Sequence, residues 1–172
     1  MQVNSVVGRG RRFKALVSVA FMVGFAGASV GVASELSEQL ARRAGLKRAV
    51  TALLGTDTEV AVDLAHTTEW LIHVRMPSGA KGLRDLAQQA GLGIDRLVAE
   101  NGPLDRLPYA DNTLDVLIAT EAGGEALSDL SLSEILRVLR PEGTAIIGKA
   151  LQSNGADADP AALKKWASGG RT

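Results

Sequence analysis

Very few side chains in this 172-residue chain are of types that do chemistry. It contains no cysteine, so no thiolate nucleophile, disulfide or thiolate metal site is available. The two histidines, His66 and His73, stand seven residues apart on different expected elements. They read as a helix-end surface histidine and a strand histidine rather than as metal ligands. Gly55 is alone in Leu54-Gly55-Thr56-Asp57-Thr58, and a single glycine is not the phosphate-binding fingerprint of a dinucleotide site. Glu121 follows the apolar run Leu114 to Ala119 and is the polar group best placed to face a substrate; its plainer reading is a solvated loop acid. Trp70 reads as core or edge packing and Trp166 as a pin for a terminal helix. The pairs Arg42-Arg43 and Lys47-Arg48 read as solvated faces.

The elements that must position these residues alternate along the chain. Glu35 to Ala44 is a short amphipathic helix with Leu36 and Leu40 on one side. Ala49 to Leu54 is a first buried strand. Thr56-Asp57-Thr58 then offers capping side chains for a helix to about Ala65, with Val60, Ala61 and Leu64 facing inward. Trp70 to Val74 is a second strand, closed by Pro77-Ser78-Gly79. Leu83, Leu86, Ala87 and Ala90 share one helical face, with Gly91 as the stop. Asp95 to Ala99 makes a third strand, and Asn101-Gly102-Pro103 breaks into a loop. Leu114 to Ala119 is apolar on both faces, as a central parallel strand covered on both sides must be. Ser131-Leu132-Ser133-Glu134 has capping-box spacing, ahead of a stripe of Leu132, Ile135, Leu136 and Leu139. Pro141-Glu142-Gly143 ends that helix, and Thr144 to Gly148 begins a fifth strand. A polar loop over 153–160 and a short helix to Trp166 follow. This alternation predicts an α/β, Rossmann-like, doubly wound and mostly parallel sheet of about five strands. Ligands of such sheets sit beyond the carboxyl ends of the strands, where strand order reverses.

Two stretches carry a resemblance. Leu107-Pro108-Tyr109-Ala110-Asp111 precedes the fourth strand, and Arg137-Val138-Leu139-Arg140-Pro141-Glu142-Gly143 precedes the fifth. With a buried strand and a capped helix between them, they resemble the second half of a class I S-adenosylmethionine-dependent methyltransferase domain of the type 11 kind, over about residues 44 to 150. The resemblance implies S-adenosylmethionine as cofactor and methyl transfer to a small acceptor. It assigns Gly55 and Asp57 to the cofactor loop and Asn101 to the polar position that contacts adenine. Glu121 then borders the cofactor beyond the fourth strand. The sequence departs from the family pattern in several places. The first loop keeps one glycine, Pro103 stands near the usual acidic position, and Glu142 replaces a glycine. Arg75-Met76-Pro77 closes the second strand where a carboxylate usually grips the ribose hydroxyls. A lost charged hydrogen bond of ~1.5–3 kcal/mol weakens binding roughly ten- to a hundredfold. Only 24 residues follow Gly148, so the sixth and seventh strands of a complete domain are expected to be missing and a sheet edge left for a partner domain or oligomer to cover.

Residues 1–34 carry Arg9, Arg11, Arg12 and Lys14, then an apolar run from Ala15 to Val32 and the small-residue stretch Ala33-Ser34. These are the parts of a signal peptide, or alternatively of an N-terminal membrane anchor. The expected division is therefore 1–34 as signal or anchor and 35–172 as the methyltransferase-like domain, exported to the periplasm or secreted, or else membrane-anchored. Without the first segment 15 basic residues face 19 acidic ones, a net charge of −4, which gives no footprint for nucleic acid. Two functional expectations follow: a working methyltransferase, or a catalytically impaired exported module that binds or supports.

Overall fold

Five short apolar runs pair into one sheet in the computed structural model, which describes residues 29–119, 129–148 and 166. They are β1 (Val50–Leu54), β2 (Leu71–Met76), β3 (Leu97–Asn101), β4 (Leu114–Ala119) and β5 (Leu139–Ile147). The order is β3-β2-β1-β4-β5 and every pair is parallel. The chain steps outward from β1 to β3, returns to β4 beside β1, and ends on β5. Strand order thus reverses between β1 and β4, the point at which sheets of this kind place their ligands. The α/β doubly wound sheet expected from the sequence is what forms.

Both faces are covered, which is why the strands read as nearly unbroken apolar runs. Helices α1 (Ser29–Ala44), α2 (Thr58–Thr67) and α3 (Ala80–Gln89) lie on one face, over Leu53, Ile72, Val74, Val116 and Ile118. The other face holds Ala52, Leu54, Leu117, Ala145 and Ile147. It is covered by α4 (Leu132–Val138) and by the β3–β4 crossover, residues 102–113, which contains no helix. Trp70 is wholly buried and donates its indole N–H to the Leu46 carbonyl at 3.0 Å, so it is a core residue with its one polar atom satisfied.

Several boundaries differ from expectation, each for a local reason. Helix α1 starts by Ser29 rather than at Glu35 and so runs across residue 34. Ala33 is buried in the core, and the buried Ser37 hydroxyl donates to its carbonyl at 2.9 Å. Strands β2 and β3 both extend further toward their carboxyl ends than expected, because the parallel ladder carries Arg75 and Met76 opposite Glu100 and Asn101. Asp95 and Arg96 instead lie in a turn in which the Arg96 and Leu97 N–H groups donate to the Gly93 carbonyl. In α3 the buried residues are Ala80, Leu83 and Ala87, while Leu86 is 46% exposed, on a helix that packs beside the edge strand β3 of the described sheet. In α4 the buried residues are Ile135 and Val138, with Leu139 following; Leu132 and Leu136 are only half-buried.

The turn into β5 also departs from expectation. Leu139 already pairs with Leu114, and Thr144 pairs with Val116, so residues 140–143 bulge out between two paired positions. Glu142 sits at φ 66° in that bulge. A Cβ on Gly143 would stand 2.9 Å from the Arg140 carbonyl oxygen and 3.2 Å from that of Leu114. Among the described residues no helix is long and apolar enough to cross a membrane; the apolar run ending at Val32 lies largely outside them. Adjacent substitutions in the bulge should have opposite signs. Glu142→Gly relieves a left-handed conformation and is expected to add about 0.5–1 kcal/mol. Gly143→Ala drives a methyl group into two carbonyls and is expected to cost about 1–3 kcal/mol. Urea unfolding midpoints of the two variants measure both.

Candidate functional site

The carboxyl ends of β1 and β3 lead to residues whose environment is now defined. Gly55 ends β1, is buried at φ 127°, and donates its N–H to the Arg75 carbonyl at 3.0 Å. A side chain is strained at that φ, so glycine is required there for the turn itself. Asp57 is the N-cap of α2, its carboxylate accepting from the Val60 N–H at 3.4 Å. Asn101, at the end of β3, turns its side-chain oxygen onto the Ala80 N–H at 2.9 Å. It thereby caps α3, whose own N-cap residue, Gly79, has no side chain to do so. One lone pair of the oxygen expected to meet an adenine amine is thus taken by a helix end. Glu121 lies outside the described residues.

The crossover is held by one guanidinium. Arg137, on α4, donates through Nη1 to the Tyr109 carbonyl at 2.8 Å and to Asp111 at 2.9 Å. Through Nη2 it donates to the Leu107 carbonyl at 3.1 Å and to Glu134 at 2.8 Å, and through Nε to Glu134 at 2.8 Å. Glu134 in turn accepts from the Leu107 N–H at 3.0 Å. The sequence spacing suggested that Glu134 would complete a capping box. Only half of that box forms: Ser131 Oγ accepts from the Glu134 N–H at 3.3 Å, while the Glu134 carboxylate faces the crossover. The hydrogen bond from Arg137, and then that from Leu107, pull the Glu134 carboxyl down to about 2 from its ordinary 4.5, while the hydrogen bonds to Glu134 and then Asp111 raise Arg137.

Beneath the crossover lies a polar cluster on β2 and β3. Tyr109 places its hydroxyl 2.9 Å from His73 Nδ1, with the rings edge to face. His73 Nε2 is 3.6 Å from Glu100 Oε2, and Arg75 Nη1 is 3.4 Å from the same oxygen. Burial is the largest influence on His73 and lowers its pKa, with Glu100 opposing and Arg75 reinforcing. Burial likewise keeps the Tyr109 phenol protonated, raising its pKa. Gly102 packs directly on the Arg75 guanidinium, leaving no room for a Cβ. His66 is exposed at the end of α2, so the two histidines are apart, and no group of three potential metal ligands occurs among the described residues.

A cleft of about 470 Å³ opens at this end of the sheet, lined by Pro77, Gly102, Pro103, Leu104, Asp105 and Asp129. Pro77 follows β2, Gly102 to Asp105 follow β3, and Asp129 precedes α4. Among the described residues, two carboxylates and no cation line it. Of the residues singled out in the sequence, Gly55 forms the turn after β1 and Asp57 caps α2. Asp105, Asp129 and the His73–Tyr109 pair were not singled out at all. Asp129 had a weak signal, since it lies two residues before the capped Ser131 in one of the four loops at the strand ends.

The clamp predicts a pH dependence. A carboxyl held at about 2 stabilises the fold fully above its ordinary 4.5, and that contribution is lost as the pH falls through about 2. Glu134→Gln is expected to cost about 1–2 kcal/mol at pH 7, as the loss of charged hydrogen bonds from Arg137 and Leu107 implies. Urea titrations run from pH 7 down to pH 2 should show the gap between native protein and variant closing.

No known family matches the sequence, and no curated protein does. Solved structures do match the fold. A provisionally assigned sarcosine dimethylglycine methyltransferase from Galdieria sulphuraria is 24% identical with a TM-score of 0.56, over 66% of this chain and 44% of that one. A provisionally assigned S-adenosyl-L-methionine-dependent methyltransferase from Methanococcus maripaludis is 17% identical with a TM-score of 0.59, over 82% and 64%. The cyclase SpnF is 26% identical with a TM-score of 0.55, over 66% and 43%. The chain therefore spans between 43% and 64% of the length of these three proteins. With its parallel sheet in the order β3-β2-β1-β4-β5 and the helices on both faces, this chain has the class I S-adenosylmethionine-dependent methyltransferase fold.

Proposed function

We propose that this chain binds S-adenosylmethionine as a methyltransferase-like domain, with the adenosine part seated in the cleft between the Pro77 and Gly102–Asp105 loops, and that it serves methyl transfer to a small acceptor. The observation that carries this reading is the lining of the cleft. Pro77, Pro103 and Leu104 offer apolar surface for a flat base, and Asp105 and Asp129 offer acceptors for an amine or hydroxyl. The two carboxylates of the lining suit a sulfonium-bearing nucleoside better than a pyrophosphate, which needs backbone N–H groups and positive charge. The likeness to two methyltransferases, one of them S-adenosyl-L-methionine-dependent by name, supports the same cofactor. Methyl transfer asks the protein mainly to align nucleophile and sulfonium, so it requires no dedicated acid or base here.

A second reading is favoured by one feature: Arg75 stands where a ribose-gripping carboxylate is usual. On that reading the domain is a catalytically impaired, exported module that serves in binding or support, its N-terminal segment acting as signal or anchor. The two separate cleanly. Calorimetric titration of the full chain with S-adenosylhomocysteine is expected to give micromolar binding; no heat at millimolar ligand would eliminate the cofactor reading. Fractionation of expressing cells that finds processed protein outside the cytosol, together with absent binding, would favour the second.

A further inference from the structure

Replacing a carboxylate by Arg75 at the end of β2 removes the usual partner of a ribose diol, yet a carboxylate is present one strand away. Arg75 and Glu100 are directly opposed in the parallel ladder, at the last turn of the strands before the cleft. Their side chains leave the sheet on the same face and meet at 3.4 Å. The Arg75 side chain is only 13% exposed, enclosed under Gly102, whereas that of Glu100 is 54% exposed. The cation is the buried partner and the anion the accessible one.

We propose that Glu100 supplies, from β3, the carboxylate that clasps the vicinal hydroxyls of a bound nucleoside, with Arg75 and His73 as positioning residues. This rests on the adenosine-binding reading above and names the group that makes it specific. Arg75 and His73 both approach the same atom, Oε2, while among the described residues no contact is made to Oε1. A carboxylate anchored through one oxygen presents the other at a fixed angle. Arg75 is fixed in its turn. Its carbonyl accepts from Gly55, and Gly102, which a side chain would force off the guanidinium, closes over it. His73 is fixed by the Tyr109 hydroxyl, and Tyr109 by the Arg137 clamp.

The alternative occupant for an arginine at this position is a ribose phosphate, which arginine accepts in dinucleotide sites. The pairing of Arg75 with Glu100 argues against it, as does the nearby acidic lining of Asp105 and Asp129. A phosphate would have to displace Glu100 and then sit among carboxylates.

Titration of the full chain with adenosine, 2′,3′-dideoxyadenosine and adenosine 2′-monophosphate tests the assignment. Adenosine is expected to bind roughly ten- to a hundredfold more tightly than the dideoxy compound, the effect of a charge-assisted diol contact. It should also bind more tightly than the phosphate. Glu100→Gln should erase the preference for adenosine over the dideoxy compound, with weak binding of both retained. Should that variant fail to fold, Glu100→Asp keeps the charge and shortens the reach, and the preference should fall there too. An undiminished preference in a folded Glu100 variant overturns the assignment, and so does tighter binding of the phosphate. If neither adenosine nor S-adenosylhomocysteine binds the native chain, the adenosine reading itself falls, and the assignment with it.

Discussion

The bidentate grip of Arg137 on the β3–β4 crossover is the interaction on which the rest of the site depends. A parallel sheet needs a covered face at every crossover, and most of these connections supply a helix. This crossover supplies none. Its backbone groups therefore have no ladder or helix to satisfy them, and irregular chain laid on an apolar face costs free energy unless its carbonyls find donors. Arg137 provides those donors for Leu107 and Tyr109 at once, while Glu134 accepts from the Leu107 N–H. The Asn112 and Thr113 N–H groups then donate to the Arg137 and Val138 carbonyls, which delivers the chain into β4. A planar fork of five donors is suited to this in a way that a lysine ammonium is not.

From that grip the geometry propagates to the ligand end. Fixing Leu107 and Tyr109 fixes residues 102–105, which form one wall of the cleft. It also lays the Tyr109 phenol on His73, in a cluster in which each side chain has a partner although His73 Nε2 and Arg75 Nε are buried without a hydrogen bond. Phenol meets imidazole, and carboxylate meets guanidinium. Buried polar groups are costly when partners are missing and rigidifying when they are present. The two sequence stretches that carry the methyltransferase resemblance are thus two halves of one contact. Leu107 to Asp111 contribute the carbonyls and Asp111 the carboxylate, and Arg137 contributes the donors.

The fold was legible in the sequence because its signals are local and strong. The run Leu114 to Ala119 reads as a doubly covered strand, and Ser131 reads as a cap, and both are so in the structure. The ends of β2 and β3 were not legible, because Arg75, Glu100 and Asn101 look like loop residues until parallel pairing places them opposite one another. For the same reason the capping role of Asn101 is not visible in the sequence. Its oxygen meets Ala80, twenty-one residues away, a cap that no sequence window contains. The acids of the cleft were missed because the sequence shows which loops gather at the strand ends, but not which side chains of those loops face one another. A missing carboxylate on β2 is visible in the sequence; an available one on β3 is visible only in three dimensions.

Fold alone leaves the chemistry open, since SpnF shares the architecture and is a cyclase. The charge of the cleft narrows the ligand more than it narrows the reaction. Carboxylates near a nucleoside bearing a sulfonium strengthen binding of the ground state. Methyl transfer disperses that positive charge, so the same carboxylates, placed close to sulfur, would favour the reactant over the transition state. Acids that assist a methyltransferase therefore belong at the sugar and base, away from the transferring methyl group. Glu100 at the end of β3, together with Asp105 just beyond it, satisfies that requirement if the base lies against Pro77 and Leu104. On the proposed reading, affinity would be set at the β2–β3 end of the sheet, and rate at the β1–β4 end, where a nucleophile would be aligned with the methyl group. A chain of this fold can consequently keep the first property while altering the second.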